Sequence, residues 1–388
     1  MFALARRFEH LPVHLFAEID RLKREALRGG RDIIDLGVGD PDTPTPQPII
    51  DACTRALQQP TNHRYPYQVG SERFRKSVAA FFKRRYRLDV DPLKEVLPLI
   101  GSKEGIAHFP IAFVNPGDVI LAPDPGYPAY VTGAALSGAR YYPMPLLKDH
   151  QYRMQVETLP DEIKESARLL YFNYPNNPTT ADANLDDFNR LAEFCVSNNI
   201  LAAHDAAYQE LYFDNAPPSF LQADQARSVG IEFHSLSKTF NMTGWRAGVA
   251  VGNADLIAGL SRIKSNVDTG LFLAIQEAAA FALDHLEELT APLKTLYKRR
   301  RDTVLECAES MGLVAEQPNA TIYVWCQTPG GMPSMDFART LLNREGVVVT
   351  PGAGLGKASE GSFRISLCDR EDRLREAMQR IARIKESI

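Results

Sequence analysis

The chain has 388 residues, of which 45% are hydrophobic and 24% are charged, and its formal net charge is −4. This composition is that of an ordinary globular protein, and it gives no sign of a nucleic-acid or membrane partner. The five cysteines are scattered without CxxC spacing, and no signal peptide or membrane-spanning stretch is evident, so we expect a cytoplasmic protein without disulfides or a metal site.

From the N-terminus onward, a helical pattern comes first, at Phe16–Leu27, and short β-rich runs then alternate with further helical patterns. The predicted strands are Asp118–Ala122, Arg140–Pro143, Arg168–Phe172, Ile200–His204, Ile231–Ser235 and Ala247–Val251. The predicted helices between them are Lys103–Val114, Pro128–Ser137, Leu185–Asn198 and Asp255–Lys264. This alternation is typical of an α/β protein with a mostly parallel sheet covered on both faces.

The pattern changes after about Ala280. A long helical stretch is predicted there, followed by shorter strands and a terminal helix: Leu293–Met311, Ala320–Cys326, Val347–Val349, Phe363–Ser366 and a helix from Arg370. We therefore predict a large domain over residues 46–280 and a smaller α+β domain formed by residues 1–45 and 281–388.

Polar side chains gather at the carboxyl ends of the predicted parallel strands, where such sheets bind their ligands. Asn173 follows one strand, and His204 and Asp205 end the next. The third strand runs into Ser235-Leu236-Ser237-Lys238, with Arg246 eight residues further on. Hydroxyls, a guanidinium and one amine in this arrangement indicate a phosphate site beside a reactive lysine.

The stretch HSLSKTFNMTGWRAG, together with ordered motifs from Gly39 to Arg364, resembles the class I/II aminotransferases of fold-type I. The resemblance implies a pyridoxal-5′-phosphate (PLP) cofactor, small-molecule amino-acid and 2-oxo-acid substrates, and a homodimer with shared active sites. No nucleic-acid or membrane partner is implied.

The resemblance also assigns the catalytic residues. Lys238 matches the Schiff-base lysine, which also moves the substrate's proton. Asp205, in HDAAYQEL, matches the aspartate that pairs with the pyridine nitrogen, so that the ring can absorb electrons. Tyr208 and Asn177 match the residues that contact the phenolic oxygen of the ring, and Tyr127 matches the aromatic residue that stacks on it.

Further matches concern the phosphate and the substrate. The matched phosphate-binding residues are Ser102, Lys103, Ser235, Ser237 and Arg246, with Tyr65 donated by the neighbouring subunit. Arg364, in SFRISL, matches the arginine that grips the substrate α-carboxylate. The remaining matched substrate positions are Gly39, Tyr127, Asn177 and His14.

Four stretches resemble LL-diaminopimelate aminotransferases in particular: LPVHLFAEIDRLKREA, YPNNPTT, HDAAYQELYFD and KSNVDTGLFLAIQEAA. The sequence departs from the family patterns at Thr180, which replaces a usual glycine, at Ala206, and at His14, which matches a substrate-contacting tyrosine. Three alternatives stay open: a broader aspartate, alanine or aromatic aminotransferase, a PLP-dependent C–S lyase, and a PLP-binding regulator.

Overall fold

The structure is a computed structural model that describes residues 3–5, 8, 11, 16–66 and 69–386. Its helices are α1 (Phe16–Arg28), α2 (Gln47–Leu57), α3 (Glu72–Tyr86), α4 (Ser102–Phe113), α5 (Ala129–Ser137), α6 (Asp161–Ser166), α7 (Leu185–Ser197), α8 (Ala226–Val229), α9 (Leu236–Thr239), α10 (Ala254–Val267), α11 (Leu273–Asp284), α12 (Leu286–Ser310), α13 (Ser334–Glu345) and α14 (Glu371–Glu386). Its strands are β1 (Ile34–Asp35), β2 (Val96–Ile100), β3 (Val119–Asp124), β4 (Arg140–Pro145), β5 (Ala167–Asn173), β6 (Leu201–Asp205), β7 (Gly230–Ser235), β8 (Ala247–Gly252), β9 (Tyr323–Gln327), β10 (Val347–Val348), β11 (Thr350–Pro351) and β12 (Ser362–Ser366).

The central sheet has seven strands in the order β2-β8-β7-β6-β5-β3-β4. Strands β3 to β7 pair in parallel, and β8 runs antiparallel to both of its neighbours. The predicted mostly parallel sheet is therefore confirmed. The sequence analysis missed β2, whose apolar run contains Pro98. A proline is tolerated in an edge strand such as this one, although it weakens the strand pattern.

Both faces of this sheet are covered, which explains why its strands are almost continuously apolar. Helices α3, α7 and α11 supply apolar side chains to the core on one face. Helices α4, α5 and α10 do the same on the other face. The strands are thereby held rigidly, and the side chains at their carboxyl ends are fixed in place.

A separate apolar core forms around the short strands of the C-terminal part. It combines α1 and β1 with α12, α13, α14 and the strands β9, β10 and β12. Helix α11 runs through residue 280, and the predicted domain division stays a prediction. Within the described ranges, none of the helices combines the length and apolar character that a bilayer crossing requires.

Candidate active site

The carboxyl ends of β5 and β6 are joined by a buried asparagine. Asn173 and Asp205 are partners in the parallel register, and the Asn173 amide nitrogen donates to the Asp205 carbonyl oxygen at 2.7 Å. The Asn173 side-chain oxygen accepts from the backbone N–H of Asn177, also at 2.7 Å. One buried amide thus places both Asp205 and Asn177 at the same edge of the sheet.

The Asp205 carboxylate lies almost fully inside the protein. The hydroxyl of Tyr130 donates to its Oδ2 at 2.9 Å, whereas Oδ1 has no hydrogen-bond partner among residues 16–66 and 69–386. Burial raises the pKa of Asp205 from its ordinary value of 3.8 to about 6, although the Tyr130 hydrogen bond lowers it. A buried oxygen that accepts no hydrogen bond costs folding free energy. This carboxylate is therefore suited to accept a hydrogen bond from a ligand.

Lys238 follows directly from the end of β7. Ser235 ends the strand, and its hydroxyl caps the short helix α9 by accepting from the N–H of Ser237 at 3.2 Å. The Lys238 ammonium donates to the carbonyl oxygen of Gly39. A side chain at Gly39 would collide with the hydroxyl of Tyr323, so a glycine is required where this segment passes the lysine.

The start of α4 forms a cradle with Arg246. Gly101 precedes this helix at φ 76°, in the left-handed region, and a Cβ atom there would collide with the Arg246 guanidinium. Gly248 pairs with Ser235 and lies against the backbone N–H of Ser102. The free N–H groups of the α4 N-terminus, Arg246 and the Ser235 region therefore come together, and such an arrangement binds anions.

Arg364 on β12 reaches the same site from the C-terminal part of the chain. Its guanidinium donates to the Asn177 side-chain oxygen at 2.6 Å and to the Gly37 carbonyl oxygen at 2.7 Å. It also lies 4.0 Å from the ring centroid of Tyr323. The Tyr323 hydroxyl in turn accepts from the Tyr208 hydroxyl at 3.3 Å. A fixed cation thus stands next to Asn177 and Tyr208.

The sequence model of the family described as "Aminotransferase class I and II" matches residues 31–381 of this chain. Two relatives are named LL-diaminopimelate aminotransferase. The one from Aquifex aeolicus is 47% identical, with 99% of this chain and 100% of the relative covered. The one from Maridesulfovibrio salexigens is 48% identical, with 99% of each chain covered. The solved structure of substrate-bound BacF from Bacillus subtilis is 36% identical and has a TM-score of 0.95, with 99% of this chain and 98% of that chain covered.

The chain belongs to the class I and II aminotransferase family. The predicted fold-type I architecture and the predicted aminotransferase class are thereby confirmed. Membership in this family implies the use of PLP, and the described residues fit that cofactor. The partnerless Oδ1 of Asp205 suits a protonated ring nitrogen, and the cradle at Gly101 and Arg246 suits a phosphate.

Not every predicted site residue lies within this cluster. Tyr127 does lie beside it: its ring packs edge-on against Tyr130 at 6.0 Å between centroids, the Lys103 ammonium is 5.8 Å from its ring centroid, and burial raises its pKa to about 12. Tyr65 is 72% exposed, so its ring is available to a second subunit. His14 lies outside the described residues.

Sequence reasoning missed Tyr130 and Tyr323 in this aminotransferase site. A signal for Tyr130 existed, since it follows Tyr127 by three residues at the start of a helix, and such residues share a helix face. For Tyr323 no local motif existed. Tyr323 lies on β9, beside the strand β12 that carries Arg364, and its hydroxyl contacts that of Tyr208, which is 115 residues away in the sequence.

Proposed function

We propose that this protein is an LL-diaminopimelate aminotransferase that transfers an amino group between LL-2,6-diaminopimelate and 2-oxoglutarate, on the route to lysine. The observation that carries this proposal is the name shared by relatives that are 47% and 48% identical over 99% of the chain. The aminotransferase class rests on the whole site, whereas the substrate pair rests on these relatives.

The cluster at the sheet edge supports a PLP site. Asp205 would accept from the ring nitrogen, Tyr127 would stack on the ring, and Tyr208 and Asn177 would contact the phenolic oxygen. The phosphate would be held by Ser102, Lys103, Ser235, Ser237 and Arg246, with Tyr65 supplied by a second subunit. When bound, PLP supplies an aldehyde that carries the amino group and a ring that withdraws electrons from the reacting carbon.

Lys238 is the amine placed for the proton transfer. Its Nζ is held beside the Gly39 carbonyl oxygen, at the carboxyl end of β7 and close to the Asp205 site. In its neutral form, Nζ would take the proton from the substrate α-carbon and deliver it to the carbon that was the aldehyde carbon of PLP. The ionised carboxylate of Asp205 would support the same step, because it would keep a proton on the ring nitrogen of bound PLP.

Arg364 is placed to bind the α-carboxylate that both proposed substrates share. Its Nε is buried and has no partner in the described part of the chain, so the planar guanidinium keeps a donor for a carboxylate. The two substrates differ at the far end, which is zwitterionic in diaminopimelate and a bare carboxylate in glutamate. We propose that His14 contacts this end, since an imidazole can adjust its charge near neutral pH.

Purified protein loaded with PLP should form glutamate from LL-diaminopimelate and 2-oxoglutarate. Lys238→Ala is the control, and it should bind PLP while losing turnover. Borohydride treatment followed by peptide mapping should place the cofactor on the Lys238 peptide of the unmodified chain. A protein that ignores diaminopimelate but uses alanine, aspartate or aromatic donors would refute the substrate assignment. Release of pyruvate from a β-substituted amino acid, without an oxo acid, would indicate a lyase instead.

A further inference from the structure

A buried ionic cluster lies directly behind Asp205, on the adjoining strands. His204 immediately precedes Asp205 on β6, and it is paired in register with Glu232 on β7. Both side chains are 0% exposed. The His204 Nδ1 lies 2.9 Å from Glu232 Oε1, and His234 Nε2 lies 3.0 Å from Glu232 Oε2. None of these three residues has a role in the site described above.

The partners of Glu232 show that its carboxylate is ionised. Besides the two histidines, its oxygens accept from the Phe220 N–H at 2.7 Å and from the Ser219 hydroxyl at 2.9 Å. Burial raises the pKa of Glu232, but the hydrogen bonds from His204 and His234 outweigh burial and hold it well below its ordinary value. A carboxylate with this many donors stays charged even in an apolar interior.

The partners of His204 then determine its protonation. Its Nε2 lies 2.8 Å from the carbonyl oxygen of Tyr174, which can only accept, so Nε2 carries a proton. Its Nδ1 faces the ionised Glu232, so it carries a proton as well. His204 is therefore an imidazolium. His234 needs only the proton on Nε2 to satisfy the same carboxylate.

The surroundings of this cation are apolar. The imidazole of His204 stacks on Phe172 at 5.1 Å between ring centroids, and it meets Phe188 and Phe220 edge-on at 5.1 Å and 6.4 Å. A charge in such surroundings acts over a longer distance than it would in water, because the local dielectric is low. Asp205, the carboxylate of the site, is the next residue on the same strand.

We propose that His204 is a positioning residue which, as a buried imidazolium held by Glu232, keeps the carboxylate of Asp205 ionised. The proposal rests on the proposed PLP function, in which Asp205 must be charged. The groups that act on the Asp205 carboxylate are the hydroxyl of Tyr130 from α5, the rings of Tyr127, Tyr171 and Tyr208 and, from the opposite face of the sheet, the two histidines. Burial raises the pKa of Asp205 to about 6, and the charge of His204 opposes that rise. Without the cation, a larger fraction of Asp205 would be protonated near neutral pH.

The first test is the protonation state of His204 in the PLP-loaded enzyme. Nitrogen NMR of protein labelled with ¹⁵N-histidine distinguishes an imidazolium from the neutral tautomers, and His204→Gln assigns the signal. Exposed His150, assigned with His150→Gln, provides the comparison signal. Both nitrogens of His204 should carry protons from pH 6 to pH 8. A neutral tautomer at pH 7 would overturn the proposal.

The second test follows the Asp205 carboxyl by carbon NMR in cofactor-free protein, with the signal assigned through Asp205→Asn. In His204→Gln the titration midpoint should rise by about one pH unit. Glu232→Gln should give a smaller rise, because it removes the negative charge of the carboxylate together with the proton of His204, which a buried imidazolium loses without its counter-ion. His150→Gln should leave the midpoint unchanged.

A purely structural role predicts a different outcome. His204→Gln would then lower the unfolding temperature without moving the Asp205 titration, and that result would refute the proposal. In the loaded enzyme, the acidic limb of the kcat/KM profile should move to higher pH in both variants. Because the NMR readouts need no turnover, they stand even if the proposed substrate or cofactor is wrong.

Discussion

The buried carboxylate of Asp205 lowers the stability of the folded protein. Its place after an apolar strand could be predicted from the sequence, because strand ends of a parallel sheet converge at one edge. The hydroxyl of Tyr130, which contacts it, and the partnerless Oδ1 depend on how α5 packs and could not be predicted. Burying a carboxylate with one oxygen unpaired is unfavourable, and we expect the cost to be recovered only when a ligand donor is present.

Asp205→Asn should stabilise the cofactor-free protein at pH 8 but not at pH 4. The folded pKa of about 6 lies above the ordinary value of 3.8, so the contribution of Asp205 to stability is fully present below pH 4 and is lost as the pH rises through 6. An uncharged amide avoids that loss and can still accept from Tyr130. The gain at pH 8 is at most on the order of 3 kcal/mol.

Denaturant unfolding of cofactor-free protein at the two pH values measures this effect, and Asp149→Asn at an exposed position is the control. The same Asp205→Asn protein should lose most of its turnover when loaded, because the charge that holds the ring nitrogen's proton is gone. Equal changes in stability at both pH values would contradict the argument.

Among the elements, six strands of the central sheet and the four helices predicted between them were located to within a few residues, since each is marked by an apolar or periodic run. The helices α2, α3, α11 and α13 were not predicted. The turns that build the site were not predicted in detail. Gly101 stands at the junction of β2 and α4, with β2 itself missed, and its left-handed backbone depends on the approach of Arg246. A contact between positions 101 and 246 leaves no local pattern in the sequence.

Gly101→Ala should weaken PLP binding, whereas Gly117→Ala should not. Both glycines have positive φ, 76° and 93°, so each alanine should cost about 1–2 kcal/mol of stability. At Gly117 nothing lies within 4 Å of the added Cβ, whereas at Gly101 the added Cβ displaces the Arg246 guanidinium. We expect the Kd for PLP to rise at least about tenfold in Gly101→Ala, the loss of one charge-assisted hydrogen bond.

Thermal unfolding and a PLP titration by absorbance measure the two effects separately. Gly117→Ala reports the cost of the backbone strain alone. Similar PLP affinities in the two variants would show that the cradle tolerates displacement of Arg246.

At the scale of the whole molecule, the site joins two apolar cores that are far apart in the sequence. Arg364 and Tyr323 come from the C-terminal core, whereas Asn177 and Tyr208 follow strands of the central sheet. The family resemblance predicted that Arg364 would face the substrate. Its hydrogen bond to Asn177 joins residues 187 positions apart, and its stacking on Tyr323 follows from the pairing of β12 with β9; local patterns encode neither.

The exposed Tyr65 leads to a prediction about assembly. If it serves the active site of a second copy, a dimer of Lys238→Ala and Tyr65→Phe chains has one site with both defects and one intact site. In a random equal mixture half of the dimers are hybrids, so about a quarter of the wild-type activity should return.

Mixing Lys238→Ala with Asp205→Asn is the matched control. Those two residues lie in the same chain's site, so every hybrid site keeps one defect and no activity should return. Absence of recovery in the first mixture would show that Tyr65 is not shared across subunits, whereas recovery in the control would show that Lys238 and Asp205 do not serve the same site.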